Sequence, residues 1–183
     1  MLPFWNAHSL LFISAYLGSP PLRLTAQQFE AVADDSIGGQ LTQLLFDRIG
    51  LRVRRLSIRS PEDRLMDMRG ILEQKPSLAM AADSHGPYRA VSAGMARLGL
   101  HYAGSVRPVS LACDRAVFMF PKIRMIFPLP GSTIFLALGC RLKGQTSVAD
   151  MRVSLQSALL NLEAKSSGAL RASRIQTRWS KNL

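Results

Sequence analysis

The sequence is poor in acidic residues, in cysteine and in aromatic side chains. It contains 12 Asp and Glu residues against 23 Lys and Arg residues, so its formal net charge is +11. An excess of this size disfavours basic partners and favours polyanions, which means nucleic acid or anionic lipid headgroups. Composition alone does not choose between these two classes of partner.

The low cysteine content excludes a disulfide framework. Cys113 and Cys140 do not form a CxxC pair, and two cysteines favour a reduced, cytosolic setting. Long apolar runs are also lacking. The run over residues 9–17 is shorter than the roughly 18 residues that a membrane-spanning helix needs, and basic residues and prolines interrupt residues 117–138. We therefore expect a cytoplasmic protein that does not span a membrane but could lie on its surface.

Hydrophobic residues make up 48% of the 183-residue chain, which is enough to bury the core of one domain. Apolar periodicity predicts helices over 9–17, 37–48, 61–74 and 90–98 and from 147 onward, and strands over 22–25, 51–58, 78–82, 105–112 and 133–138. This alternation indicates an α/β fold with a mostly parallel central sheet flanked by helices. We expect one domain over residues 1–165 and a basic, disordered tail over 166–183.

Parallel sheets place their functional residues in the loops beyond the carboxyl ends of the strands. The loops that qualify lie around His8, after the strand predicted at 51–58, and over residues 83–89. Four short blocks lie at or near such loops. They read WNAHS at 5–9, GLRVRR at 50–55, AADSHGP at 81–87 and SVRPV at 105–109.

In order and spacing, these blocks resemble the lysophospholipid acyltransferase-like superfamily, and in particular a bacterial branch classed as a domain of unknown function. The resemblance covers residues 4 to about 163. It implies a glycerolipid acyltransferase-like fold that works at the inner face of the bacterial membrane. It also implies transfer of a fatty acyl group from acyl-CoA or acyl-carrier protein to a lysophospholipid or glycolipid acceptor.

The resemblance also assigns residues to roles. His8 would be the base that removes the proton of the acceptor hydroxyl, and Asp83 would orient His8 or a basic residue. The expected contacts to the acceptor's phosphate are Arg54, Arg55, His85 and Arg89. The family has an Asp five residues after its His, where this sequence has Ile13, so another group must orient His8. The helix and strand that precede the His block in the family are expected to be missing here.

Each of these assignments has a structural alternative. His8 could be a partly buried side chain beside Trp5, Asp83 a turn residue, and the arginines a solvated surface. The stretch over 117–127 is either a surface that faces a membrane or an acyl chain, or ordinary core. As a whole, the chain could be a degenerate module that binds anionic lipid without turnover. No nucleic-acid-binding motif accompanies the charge, so we do not expect nucleic acid as a partner. The resemblance implies a membrane lipid surface and an acyl thioester as partners, and neither a metal nor a bound cofactor.

Overall fold

The computed structural model describes residues 1–18, 29–34, 37–48, 50–56, 60–74, 77–83, 87–119 and 124–180. Its strands are β1 Leu2–Phe4, β2 Phe29–Asp34, β3 Arg52–Leu56, β4 Ser77–Ala81, β5 Val109–Cys113, β6 Ala116–Met119, β7 Met125–Pro128 and β8 Ile134–Leu138. Its helices are α1 Ser9–Gly18, α2 Ile37–Arg48, α3 Pro61–Gln74, α4 Ala93–His101 and α5 Val148–Ser180. A 3-10 turn over Asn6–His8 joins β1 to α1.

The first four strands form one parallel sheet in the order β1-β4-β2-β3. This confirms the α/β class and the parallel central sheet flanked by helices. The later strands pair in two antiparallel ladders, β5 with β8 and β6 with β7. The Arg107 N–H donates a hydrogen bond of 2.9 Å to the Met1 carbonyl, which joins the segment before β5 to the start of β1.

The predicted ends of two helices are confirmed by their capping geometry. At the start of α3, the Ser60 hydroxyl accepts the N–H of Asp63 at 3.0 Å. At the end of α2, Gly50 has a φ of +78°, which the glycine backbone adopts without strain. The N–H groups of Gly50 and Leu51 then donate to carbonyls in the last turn of α2, as in a Schellman motif.

The inner strand β4 is buried on both faces, which is typical of a parallel sheet, whereas the edge strand β3 is largely exposed. On one face, Leu78 and Met80 of β4 pack in a core with α4 and α5. On the other face, Ala79 packs with Phe4 and Leu11 in a second core that includes β5. Because neighbouring side chains of a strand point to opposite faces, β4 contributes to both cores.

The predicted elements and the structure differ in two regions, around β2 and along the last part of α5. The strand predicted at 22–25 lies outside the described residues, and β2 over Phe29–Asp34 was not predicted. The prediction of a disordered tail from residue 166 differs from the structure, in which α5 continues to Ser180. Ser166 and Leu170 are buried on the same helix face as Leu159. The apolar period stopped in the sequence because polar residues occupy part of this buried row.

The structure also differs from the expectation that the strand before the His8 block is missing. A strand, β1, does precede the His8 turn, and it pairs with β4. Among the described residues, no helix combines the length and the apolar character needed to cross a membrane.

The core beneath α5 provides a direct test of this packing. Leu155 is fully buried, whereas Leu160 of the same helix is 39% exposed. We expect Leu155→Ala to lower the free energy of unfolding by about 2–5 kcal/mol, because the cavity refills only in part. Leu160→Ala, the matched control, should cost about 0.5 kcal/mol. Urea denaturation measures both, and equal losses would contradict the packing of α5 described here.

Candidate functional site

The carboxyl ends of β1 and β4 place His8 and Asp83 at the same edge of the sheet. The two strands are parallel neighbours, with Phe4 opposite Ala81. Each strand ends immediately before the segment that contains its polar residue, and the Ala82 N–H donates to the Phe4 carbonyl at 2.7 Å. The loops that contain His8 and Asp83 therefore lie next to each other at this edge.

His8 is buried, with 1% of its surface exposed. Its Nδ1 accepts the backbone N–H of Leu111 in β5 at 3.4 Å. A ring nitrogen that accepts an N–H has no proton of its own, so the proton of the neutral imidazole lies on Nε2. Nε2 faces Oε1 of Glu163 at 3.6 Å, an ion-pair distance that is longer than a hydrogen bond.

Glu163 of α5 supplies the carboxylate that the sequence lacks at position 13. Its side chain is 15% exposed, and Oε1 also accepts a hydrogen bond from Nη2 of Arg89. Burial opposes ionisation, but the His8 imidazole and the Arg89 guanidinium outweigh it, so the pKa of Glu163 lies below its ordinary value. Glu163 is therefore ionised at neutral pH, with two cationic or proton-bearing groups around one oxygen.

A pair of buried serines fixes Glu163 relative to the sheet. The hydroxyls of Ser110 in β5 and Ser166 in α5 lie 3.2 Å apart, and both residues are fully buried. The Ser166 hydroxyl also donates to the Glu163 carbonyl at 3.0 Å. Ser110 directly precedes Leu111, whose N–H donates to Nδ1 of His8. The serine pair therefore joins β5 to α5 next to the site.

Asp83 acts on the backbone and not on the imidazole. Its Oδ1 accepts the N–H of Asn6 at 2.7 Å, and its Oδ2 accepts the N–H of Arg89 at 3.2 Å. Asn6 is the first residue of the 3-10 turn that contains His8, so the carboxylate caps that turn from a neighbouring strand. The hypothesis that Asp83 orients His8 or a basic residue therefore takes a specific form, in which Asp83 holds the backbones of both the His8 turn and Arg89.

Arg89 links this buried cluster to the surface. Its φ of +57° lies in the left-handed region, which an arginine rarely adopts, and the hydrogen bond to Asp83 helps to hold that conformation. Its guanidinium carbon lies 5.0 Å from the centre of the Tyr88 ring. Its Nε is buried without a hydrogen-bond partner among the described residues. Of the arginines predicted to bind phosphate, Arg89 is the one that lies beside His8.

Arg54 and Arg55 do not lie at this site. They are in β3, which is separated from β1 by two strands, or roughly 14 Å at the usual spacing of a sheet. Arg54 Nε donates to the buried Glu30 carboxylate at 3.0 Å, and Arg55 Nε donates to Gln43. Both side chains therefore have structural partners, Arg54 in β2 and Arg55 in α2. His85, the remaining predicted contact, lies outside the described residues.

Glu163 is the site residue that the sequence analysis missed. It continues the row Met151, Leu155, Leu159 at a spacing of four, which places a carboxylate on the buried face of α5. A charged residue at a position where the apolar spacing of a helix continues is the sequence signal that could have indicated Glu163. Among the described residues, no group of three His, Cys, Asp or Glu side chains is arranged to hold a metal ion.

The chain was compared with protein-family models, curated proteins and solved structures. The chain has no significant match to a protein-family model, to a curated protein or to a solved structure. The acyltransferase resemblance therefore rests on the four short sequence blocks alone.

Removing the Asp83 carboxylate tests the capping role. We expect Asp83→Ala to lower the free energy of unfolding by about 1–2 kcal/mol, because the Asn6 and Arg89 N–H groups lose their acceptor. Asp47→Ala, at an exposed position in α2, should change stability by less than about 0.5 kcal/mol. Thermal or urea denaturation compares the two variants, and equal effects would show that Asp83 does not hold the turn.

Proposed function

We propose that the protein is an acyltransferase-like protein that transfers a fatty acyl group from an acyl thioester to a lysophospholipid or glycolipid acceptor at a membrane surface. The observation that supports this most is the His8–Glu163 couple at the carboxyl-end edge of a parallel sheet. A buried imidazole beside an ionised carboxylate is suited to general base catalysis, since the carboxylate stabilises the imidazolium that forms.

The reaction itself requires few protein groups. The acceptor hydroxyl gives its proton to the imidazole while its oxygen attacks the thioester carbonyl carbon, and the new C–O bond forms a tetrahedral oxyanion. The C–S bond then breaks and the thiolate takes the proton from the imidazolium. In this proposal His8 is the base, Glu163 stabilises its charged form, and the Arg89 guanidinium attracts the phosphate of the acceptor.

The position of His8 sets a condition on turnover. In the structure Nδ1 accepts the Leu111 N–H and Nε2 faces Glu163, so neither nitrogen is open to a hydroxyl. The hydrogen bond from Leu111 is long at 3.4 Å, so it is a weak restraint on the imidazole. We infer that the imidazole turns when the acceptor binds, exchanging this backbone contact for the acceptor hydroxyl.

The same observation favours a second candidate function. If the imidazole stays buried, the cluster only fixes Arg89 at the surface, and the protein is a module that binds anionic lipid without acyl transfer. The two candidates share the lipid and differ in turnover. An assay that follows both lipid binding and product formation therefore separates them.

A double-mutant cycle tests the catalytic proposal. We expect His8→Gln and Glu163→Gln each to lower turnover at least about a hundredfold, because general base catalysis contributes factors of that size. The double variant should be no slower than the slower single variant, since the two side chains act as a unit. Purified protein, acyl-CoA or acyl-carrier protein, and vesicles that contain lysophospholipid provide the assay, with the acylated product measured by mass spectrometry.

The control for charge is Glu73→Gln, which removes an exposed carboxylate from α3 and should leave turnover unchanged. Circular dichroism checks that the variants are folded. Full turnover in Glu163→Gln would contradict the role of the couple. Vesicle binding by the unmodified protein without any product would establish the binding module in place of the enzyme.

A further inference from the structure

The antiparallel ladder of β6 and β7 exposes more apolar surface than its size explains. Phe118 is 71% exposed, and its neighbours Val117 and Met119 are 45% and 43% exposed. Adjacent residues of a strand point to opposite faces, so β6 is uncovered on both of its faces. A two-stranded ladder gains little stability from its own pairing, and exposed phenylalanine and methionine reduce solubility. The feature is therefore unfavourable in water alone.

A basic groove lies directly beside this apolar strand. It is open, has a volume of about 570 Å³ and is lined by Tyr88, Arg89, Phe118, Met119 and Arg124. The guanidinium carbons of Arg89 and Arg124 lie 5.0 and 5.5 Å from the centre of the same Tyr88 ring. No acidic residue is among the groove's lining residues, and Arg124 forms no ion pair within the described part of the chain. Since Arg89 is paired with Glu163, Arg124 supplies the positive charge that is uncompensated within the described residues and attracts an anion to this groove.

We propose that β6, β7 and this groove form the face with which the protein docks onto an anionic lipid bilayer. Phe118 and Met119 would enter the boundary between headgroups and acyl chains, and Arg89 and Arg124 would lie at the level of the lipid phosphates. Apolar and cationic side chains that line the same groove match the two layers of a bilayer surface. The net charge of +11 adds a long-range attraction to the same partner.

Docking by this face connects the membrane to the buried cluster. Arg89 lines the groove and also donates to Glu163, which faces His8. A lipid phosphate in the groove would therefore lie one side chain away from the proposed catalytic couple. This inference deepens the proposed function, because it assumes that the acceptor is a membrane lipid, but docking does not itself require acyl transfer.

Vesicle co-sedimentation of the full chain tests the docking face. The vesicles contain phosphatidylcholine with or without a quarter of phosphatidylglycerol. We expect Phe118→Gln to weaken partitioning into the anionic vesicles about tenfold, because a phenyl ring no longer leaves water. Met66→Gln is the matched control, since Met66 is also 71% exposed but lies on α3, and it should stay within about twofold of the unmodified protein. Phe118→Trp keeps an aromatic ring, so it should bind normally and be quenched by brominated lipid.

The charge contribution has its own pair of variants. Arg124→Glu should weaken binding to anionic vesicles roughly tenfold at low salt and less at high salt, whereas Arg97→Glu, an exposed position in α4, should have a smaller effect. Equal losses in Phe118→Gln and Met66→Gln would overturn the proposal. It would also be overturned if only Arg124 mattered and inorganic phosphate competed, or if Phe118→Gln broke up a dimer and left vesicle binding intact.

The outcome for docking is separable from that for acyl transfer. Loss of vesicle binding in Phe118→Gln with no acyl product from the unmodified protein supports docking and contradicts the enzyme. Acyl transfer by the unmodified protein, together with normal vesicle binding by Phe118→Gln, supports the enzyme and overturns the docking face.

Discussion

The ionised carboxylate of Glu163 is the interaction on which the arrangement of the site depends. It lies at the meeting point of three parts of the chain, namely α5, the turn after β1 and the segment after β4. Arg89 donates to its Oε1, and Nε2 of His8 lies 3.6 Å from the same atom. Because Glu163 is partly buried, its carboxylate loses some of its hydration, and the contacts with Arg89 and His8 compensate for this loss.

Asp83 complements Glu163 by acting on the backbone. Its two oxygens hold the amides of Asn6 and Arg89, and these residues carry the chain into the His8 turn and the left-handed conformation at Arg89. The side chains of His8 and Arg89 can then meet at Glu163. Asp83 thus positions the backbone, while Glu163 positions the side chains of His8 and Arg89. The network extends from the fully buried His8 to the open groove at Tyr88 and Arg124.

Sequence patterns predicted the secondary-structure elements around this site better than the residues that form it. The period of α2 and its Gly50 cap are local features, so they could be predicted from a short window. The loops of His8 and Asp83 lie together because parallel strands end at one edge, although β1 was not predicted. Glu163 lies 155 positions from His8 and could not be predicted from spacing. The same holds for Arg54, whose partner Glu30 is on a strand that was not predicted.

The carboxylate beside His8 comes from α5 and not from the position that the acyltransferase resemblance indicates. The sequence has Ile13 where the family has its acid, yet the structure places a carboxylate beside His8 from another element. Proton positions on the imidazole test this central claim most directly. Nitrogen NMR at neutral pH should show His8 with its proton on Nε2, and Glu163→Gln should shift its signals while those of the exposed His101 stay unchanged. A proton on Nδ1, or a His8 spectrum that does not respond to Glu163→Gln, would contradict the account.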